Sequence, residues 1–232
     1  MTQKTYPVGQ PQLVGRELEL VTECMLSNQL THGRYVEEFE RAFAHACGMN
    51  HGVACSNGTV ALHLALLALG VKPGDEVLVP TLTYIATVNA IAYCGATPVL
   101  CDVEPETWCI SLDEIQKRKT DRTVGILPVH LYGVPAEMDM INKVASHHGW
   151  WVLEDAAEAH GATYRGRPAG SLARASTFSF YGNKIITTGE GGMVLTNNTK
   201  MLALLRLLRG QGMSPTQRYY HPVMGYNYRM TN

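Results

Sequence analysis

Ser146-His147-His148-Gly149-Trp150-Trp151-Val152-Leu153-Glu154-Asp155 contains the step on which the whole chain is built. A segment of helical period, Pro135–His148, stops at a glycine, where a helix can turn left-handed and end. An apolar run without polar alternation follows, which suits a strand buried on both faces, and it finishes on two acids. The same step recurs on either side. The apolar runs are His51–Cys55, Glu76–Pro80, Thr97–Val103, Thr123–His130, Trp150–Asp155, Ser176–Tyr181 and Gly192–Thr196. Helical periods fill Thr59–Leu69, Tyr84–Cys94 and Leu112–Lys119 between them, with Gly70 and Gly95 at further stop positions. Two more helical patterns, Gly15–Gln29 and Tyr35–Cys47, come first.

Strands alternating with helices predict right-handed crossovers and a mainly parallel central sheet with helices on both faces, an α/β three-layer sandwich. After Ala162 the rhythm changes. Tyr164–Gly170 reads as a turn, and two strands follow with no long helix between them, which predicts a mixed sheet at that end.

Composition narrows the function. The chain has 232 residues, 46% of them hydrophobic and 17% charged, which excludes disordered and collagen-like classes. Nineteen Lys and Arg against 20 Asp and Glu leave no basic field for nucleic acid; the run Lys117-Arg118-Lys119 reads as the solvated face of a short helix. The longest apolar window, Val60–Val71, is too short for a membrane span and is broken by His63. Met1–Pro7 has no apolar stretch of the signal-peptide kind, so a cytoplasmic location is expected. Six scattered cysteines, with no Cys-x-x-Cys and no histidine at metal spacing, read as reduced core thiols, and no metal site is expected.

Ligands of such sheets sit at the carboxyl ends of the strands. After the first strand, Ser56-Asn57-Gly58-Thr59 opens a helix, either as a plain N-cap or as an anion site where a glycine admits close backbone approach. Glu154, Asp155, Glu158 and His160 crowd the end of a buried strand. They form either an ion-pair cluster with Arg165 or Arg167, or a functional group of acids, the reading favoured by the position of Asp155. Lys184 stands alone between an aromatic strand and the loop Thr187–Gly192, a place suited to a desolvated amine nucleophile. Neither Gly-x-x-x-x-Gly-Lys-Ser/Thr nor Gly-x-Gly-x-x-Gly occurs. Together the residues ask for one ligand with a phosphate, a ring nitrogen that an aspartate keeps protonated, and a carbonyl that a lysine attacks. Pyridoxal phosphate has all three.

Ser56-Asn57-Gly58-Thr59-Val60-Ala61-Leu62-His63-Leu64, Pro80-Thr81-Leu82-Thr83-Tyr84-Ile85-Ala86, Glu154-Asp155-Ala156-Ala157-Glu158-Ala159-His160-Gly161, Phe178-Ser179-Phe180-Tyr181-Gly182-Asn183-Lys184 and Gly189-Glu190-Gly191-Gly192-Met193 resemble, as an ordered set, the DegT/StrS-type nucleotide-sugar aminotransferases. These are fold-type I pyridoxal-phosphate enzymes, and the likeness runs from Tyr6 to Asn232. Within the family it is strongest toward members that aminate GDP-4-keto-6-deoxymannose.

The resemblance implies that Lys184 holds the cofactor's aldehyde and shuttles protons, that Asp155 pairs with the ring nitrogen, and that Glu158 sits near the ring hydroxyl. It further implies that Tyr84 stacks on the ring, and that Gly58, Thr59 and Ser179 hold the phosphate. Asn227, in Gly225-Tyr226-Asn227-Tyr228-Arg229, would reach the phosphate of a neighbouring subunit and so imply a homodimer; a polar turn between tyrosines is its local alternative. His160 is either a contact to cofactor or substrate or a satisfied core histidine. Glutamate is the implied amino donor and a nucleotide-linked 4-keto-6-deoxy sugar the acceptor. The family's dehydratases carry histidine in place of this lysine, so Lys184 points to transamination. Residues 1–232 then correspond to the cofactor-binding large domain, with the N-terminal helices included and a C-terminal small domain expected beyond it. The alternatives are a UDP- or dTDP-ketosugar aminotransferase, a catalytically idle cofactor-binding homologue, and a metal-dependent hydrolase using Glu154, Asp155, Glu158 and His160 with His130.

Overall fold

The computed structural model describes residues 10–31 and 33–232; the signal-peptide reading of Met1–Pro7 falls outside them. A seven-stranded sheet is assembled from β1 (His51–Cys55), β2 (Glu76–Pro80), β3 (Thr97–Cys101), β4 (Thr123–Ile126), β5 (Trp151–Asp155), β8 (Ala175–Ser179) and β9 (Gly192–Thr196). Their order is β1-β9-β8-β5-β4-β2-β3. Neighbours pair parallel except at β9, which runs antiparallel to both β1 and β8. The mixed character therefore lies where the helices drop out of the sequence pattern, as expected. The turn at Tyr164–Gly170 is a small hairpin of β6 (Thr163–Tyr164) and β7 (Arg167–Pro168). Arg165 and Gly166 both take positive φ at its tip, 50° and 76°, as a tight hairpin turn requires.

Helices α1 (Glu17–Ser27), α2 (Arg34–Ala46), α3 (Gly58–Ala68), α4 (Ile85–Tyr93), α5 (Leu112–Arg118), α6 (Met138–His148) and α7 (Thr199–Arg209) complete the chain. Along each inner strand, successive side chains enter opposite cores. Val77 and Val79 join the core under α3, α4 and α7, while Leu78 between them faces the core of α5 and α6. Val194 points to the α3 side, whereas Met193 and Leu195 pack with Phe43 of α2. Both faces are thus covered, which is why the strands read as apolar runs without alternation.

Two departures have plain causes. The run Thr123–His130 yields a strand only to Ile126, because Pro128 has no N–H to give a ladder. Helix α7 has no counterpart in the sequence reading, although its signals are present. Asn198 caps it through Lys200 N–H and Met201 N–H, Met201, Leu205 and Leu208 share its buried stripe, and Gly210 follows its end. The stop glycines behave as expected, with φ of 88° at Gly70, 73° at Gly95 and 72° at Gly149.

All six cysteines are buried free thiols; burial pushes the Cys55 thiol up to about 12 and that of Cys47 up to about 11. Lys117 and Arg118 pair with Glu114 on the exposed side of α5. Among the described residues, no helix is long and apolar enough to cross a membrane.

Candidate active site

Parallel strands bring their carboxyl ends to one side, and the singled-out residues gather there. Asp155 closes β5 and is 5% exposed. Its Oδ2 accepts a 2.8 Å hydrogen bond from Thr87 Oγ1 in α4, and its Oδ1 accepts one of 3.2 Å from Ala157 N–H. Burial raises its proton affinity, an effect opposed by these two donors and by the positive charge of Lys184. Thr87 hydrogen-bonds in turn to Thr83 Oγ1 at 2.8 Å. Thr87 was not visible as a site residue from the sequence, yet the pair Thr83 and Thr87, one turn apart at the start of a helix after a strand, was the available signal.

Lys184 lies in the turn after β8, where its N–H donates to Tyr181 O. Its side chain is 18% exposed, and Nζ stands 3.1 Å from Glu158 Oε1. The other oxygen of Glu158 accepts the Tyr132 N–H at 3.0 Å. Tyr132 has a φ of 50°, a left-handed conformation that bulky residues adopt only when their surroundings impose it.

The ion-pair alternative for the acidic cluster is not what the structure contains. Arg165 pairs with Glu137 and Asp139, and Arg167 pairs with Asp139. Nor do the four candidates act as one group. Glu154 faces the opposite way from Asp155 and accepts the N–H groups of Gly170, Leu172 and Ala173. It also meets His130 Nε2 at 3.0 Å. Since Ala136 N–H donates to His130 Nδ1, the neutral ring carries its proton on Nε2 and donates it to Glu154. With both Glu154 oxygens engaged, Glu154 is a structural pin and offers no ligand for the hydrolase reading. Among the described residues, no group of three or more His, Cys, Asp or Glu is arranged to hold a metal ion.

At the start of α3, Asn57 is the N-cap, its Oδ1 accepting Val60 N–H at 3.0 Å. Gly58 follows, and a Cβ there would stand 2.7 Å from Ser179 Cβ and 3.1 Å from Ser179 Oγ. The capping reading thus holds at Asn57, and the missing side chain of Gly58 lets α3 pack closely on Ser179. Thr59 is half-buried on the first turn. Tyr84 precedes α4 and is 73% exposed, with its ring free of the core. Asn227 is exposed, its backbone bridged to Gly210.

His160 is neither a hydrogen-bonded core histidine nor a member of the Lys184–Glu158 pair. It is 8% exposed among the rings of Phe43, Phe178 and Phe180, with centroids at 6.0, 5.2 and 5.3 Å. Both its nitrogens lack partners among the described residues. Burial, with Lys184 nearby, pushes its pKa down to about 4, so the ring is neutral near pH 7.

A seven-stranded, mainly parallel sheet with one antiparallel strand, layered between helices and carrying a lysine and acids at the strand ends, has the architecture of the fold-type I α/β enzymes. Residues 11–232 match the model of the DegT/DnrJ/EryC1/StrS aminotransferase family. The chain belongs to that family. It is 56% identical over 226 residues to the GDP-perosamine synthase of Caulobacter vibrioides, covering 97% of this chain and 61% of that one. Among solved structures, the aminotransferase from Psychrobacter cryohalolentis superposes with a TM-score of 0.91 at 39% identity, over 96% of this chain and 60% of that one. The pyridoxal-phosphate form of Spr1654 from Streptococcus pneumoniae superposes with a TM-score of 0.92 at 30% identity, over 98% of this chain and 64% of that one. The chain thus spans about three fifths of the length of these relatives.

Proposed function

We propose that the protein is a pyridoxal-phosphate-dependent sugar aminotransferase. It moves the amino group of glutamate to C4 of GDP-4-keto-6-deoxymannose, giving 2-oxoglutarate and GDP-perosamine for O-antigen or related glycan synthesis. The observation that carries this reading is the Lys184 amine 3.1 Å from Glu158, at the sheet end that also holds the buried Asp155. The 56% identity to a GDP-perosamine synthase supports the choice of sugar and nucleotide.

The residues fit the cofactor. Asp155 is a buried carboxylate whose charge is disfavoured by its surroundings, and a protonated ring nitrogen is the cation that offsets this. The missing Cβ of Gly58 lets the first turn of α3 stand against Ser179, and the free N–H groups of such a turn favour a phosphate. When bound, pyridoxal phosphate supplies an aldehyde that receives and passes on an amino group, and a ring that delocalises electrons.

The chain's own residues do the rest. Lys184 Nζ holds the aldehyde between turnovers. Released, it takes the proton from the α-carbon of glutamate and later delivers one at C4 of the sugar, a general acid–base role worth about 10²–10⁴-fold. Asp155 stays anionic against the ring nitrogen, with Thr87 and Ala157 as donors. Glu158 orients Lys184 and lies toward the ring hydroxyl. Tyr84 would pack on the cofactor ring, Gly58, Thr59 and Ser179 would hold the phosphate, and the neutral His160 would be a contact to cofactor or substrate. Asn227 reaches the phosphate of a second copy, so the working unit is a homodimer. Six unpaired cysteines accord with a reducing, cytoplasmic setting.

The test is spectroscopic and chemical. The purified protein with pyridoxal phosphate is expected to absorb in the region of roughly 400 nm, to lose that band on borohydride treatment, and to carry the reduced adduct on Lys184 by mass spectrometry. With glutamate it should aminate the GDP-linked ketosugar in preference to UDP- and dTDP-linked ones. Absence of the adduct defeats the proposal, and preference for another nucleotide defeats the assignment of substrate.

A further inference from the structure

Helix α3 carries a second polar group that the chemistry above does not use. His63 is 4% exposed. Its Nδ1 stands 3.0 Å from Tyr228 Oη, and its Nε2 has no partner among the described residues. The rings of Tyr93, Tyr226 and Tyr228 surround it, with centroids at 5.8, 5.1 and 5.9 Å. Tyr226 and Tyr228 stack on each other at 5.0 Å and 20°. A buried imidazole with one unsatisfied nitrogen costs stability that an apolar residue there would not. The hydrogen bond it does make therefore needs a reason.

That bond falls on the segment that carries Asn227. Tyr226 N–H donates to Leu208 O, Tyr228 N–H to Arg209 O, and Ser56 N–H to Tyr228 O, while Asn227 bridges to Gly210. Side chains of an extended segment alternate in direction. Drawing Tyr226 and Tyr228 toward His63 turns Asn227 the other way, and Asn227 is exposed.

We propose that His63 is a positioning residue: its hold on the Tyr228 hydroxyl fixes the Tyr226–Tyr228 segment and so aims the Asn227 amide at the phosphate site of a second copy of this chain. This rests on the homodimer reading above. One helix then serves two sites, since Gly58 and Thr59 at its start face the phosphate of their own protomer while His63 sets the residue lent to the other.

The test compares Tyr228→Phe, His63→Phe and Asn227→Ala by the pyridoxal phosphate concentration that half-saturates the protein, read as cofactor fixed to Lys184 by borohydride. Tyr228→Phe and His63→Phe should each raise it about three- to tenfold, the size of one lost hydrogen bond, and the double variant should add little more. His63→Asn, whose amide can occupy the place of Nδ1, should recover most of the loss.

Mixed dimers with a Lys184→Ala chain locate the effect. Only the site bearing Lys184 is labelled, and its Asn227 comes from the Lys184→Ala chain, where His63 is intact. Pairing a His63→Phe or Tyr228→Phe chain with that partner should therefore restore normal half-saturation, as should pairing an Asn227→Ala chain. If Asn227→Ala is restored but His63→Phe and Tyr228→Phe are not, His63 acts within its own protomer and the inference is overturned. If Asn227→Ala is not restored either, the shared-site reading falls and the inference with it. Unchanged half-saturation in Tyr228→Phe, which keeps the ring packing, also overturns it.

Discussion

Thr87→Val removes one hydroxyl and leaves the shape of a fully buried side chain almost unchanged, so it breaks the 2.8 Å bond to Asp155 together with the 2.8 Å contact to Thr83 Oγ1, and Thr83→Val is the control that separates the two. Hydrogen bonds to charged groups contribute about 1.5–3 kcal/mol, and the loss falls unequally on the two states. In the free protein Asp155, whose proton affinity is already raised by burial, can relieve the loss by taking up a proton. With the cofactor in place it must remain an anion against the ring nitrogen, so most of the penalty is felt there. The lower bound of about 1.5 kcal/mol corresponds to a roughly tenfold weaker cofactor affinity.

The sign with pH follows. A carboxylate with a raised folded-state pKa destabilises the free fold as pH climbs from the unfolded value toward the folded one, and losing a donor to the anion widens that window upward. Titrating pyridoxal phosphate into Thr87→Val between pH 6 and 8, with Thr87→Ser as the variant that keeps the hydroxyl, measures the effect. Affinity of Thr87→Val within twofold of the native protein across that range would refute the role given to this bond.

Lys184→Ala should stay folded, its melting within about 1 kcal/mol of the native protein because only one partly exposed ion pair is lost, and should show no turnover; native-level turnover would exclude Lys184 as the acid–base group. Glu154→Ala strands three backbone N–H groups and His130 in the interior, so urea unfolding should show a loss of about 3–5 kcal/mol. Asp139→Ala, which removes exposed pairs to both Arg165 and Arg167, should cost no more than about 1–2 kcal/mol. Asn232 accepts the N–H groups of Tyr35 and Val36 in the first turn of α2, and Asn232→Ala should cost about 1 kcal/mol in the same assay.

The sheet was legible because burial on both faces writes each strand as an uninterrupted apolar run, and the stop glycines mark helix ends by their backbone freedom alone. Helix α7 escaped because its buried positions, Met201, Leu205 and Leu208, are mixed with half-buried leucines and with arginines, and its period is visible only once the cap at Asn198 is recognised. In the site, Lys184, Asp155 and Glu158 stood out by charge in apolar surroundings. Thr87 did not, since a threonine in a helix carries no such contrast and its importance comes from contact with a strand far away in sequence. Glu154 and His160 show the converse. Both looked like chemistry by residue type, and only the direction of their side chains assigns one to the interior backbone and the other to a cage of phenylalanine rings.

The antiparallel strand β9 has a consequence for the order of assembly. Among the described residues, β1 is an edge strand joined to the other strands of the sheet through β9, His51 pairing with Thr196 and Cys55 with Gly192, with a single bridge from Cys55 to Arg229 on its other side, whereas β2 to β5 meet one another directly. During synthesis at roughly 5–20 residues per second, the β2–β5 portion can form early, while β1 must wait several seconds for β9 and for the Arg229 segment, both far downstream. Ser56 and Asn57 link β1 to α3, so the first turn of α3 takes its final place after most of the core exists. On the proposed function, a phosphate held at that turn would tie the latest piece of the sheet to the rest, and its release should loosen that edge first.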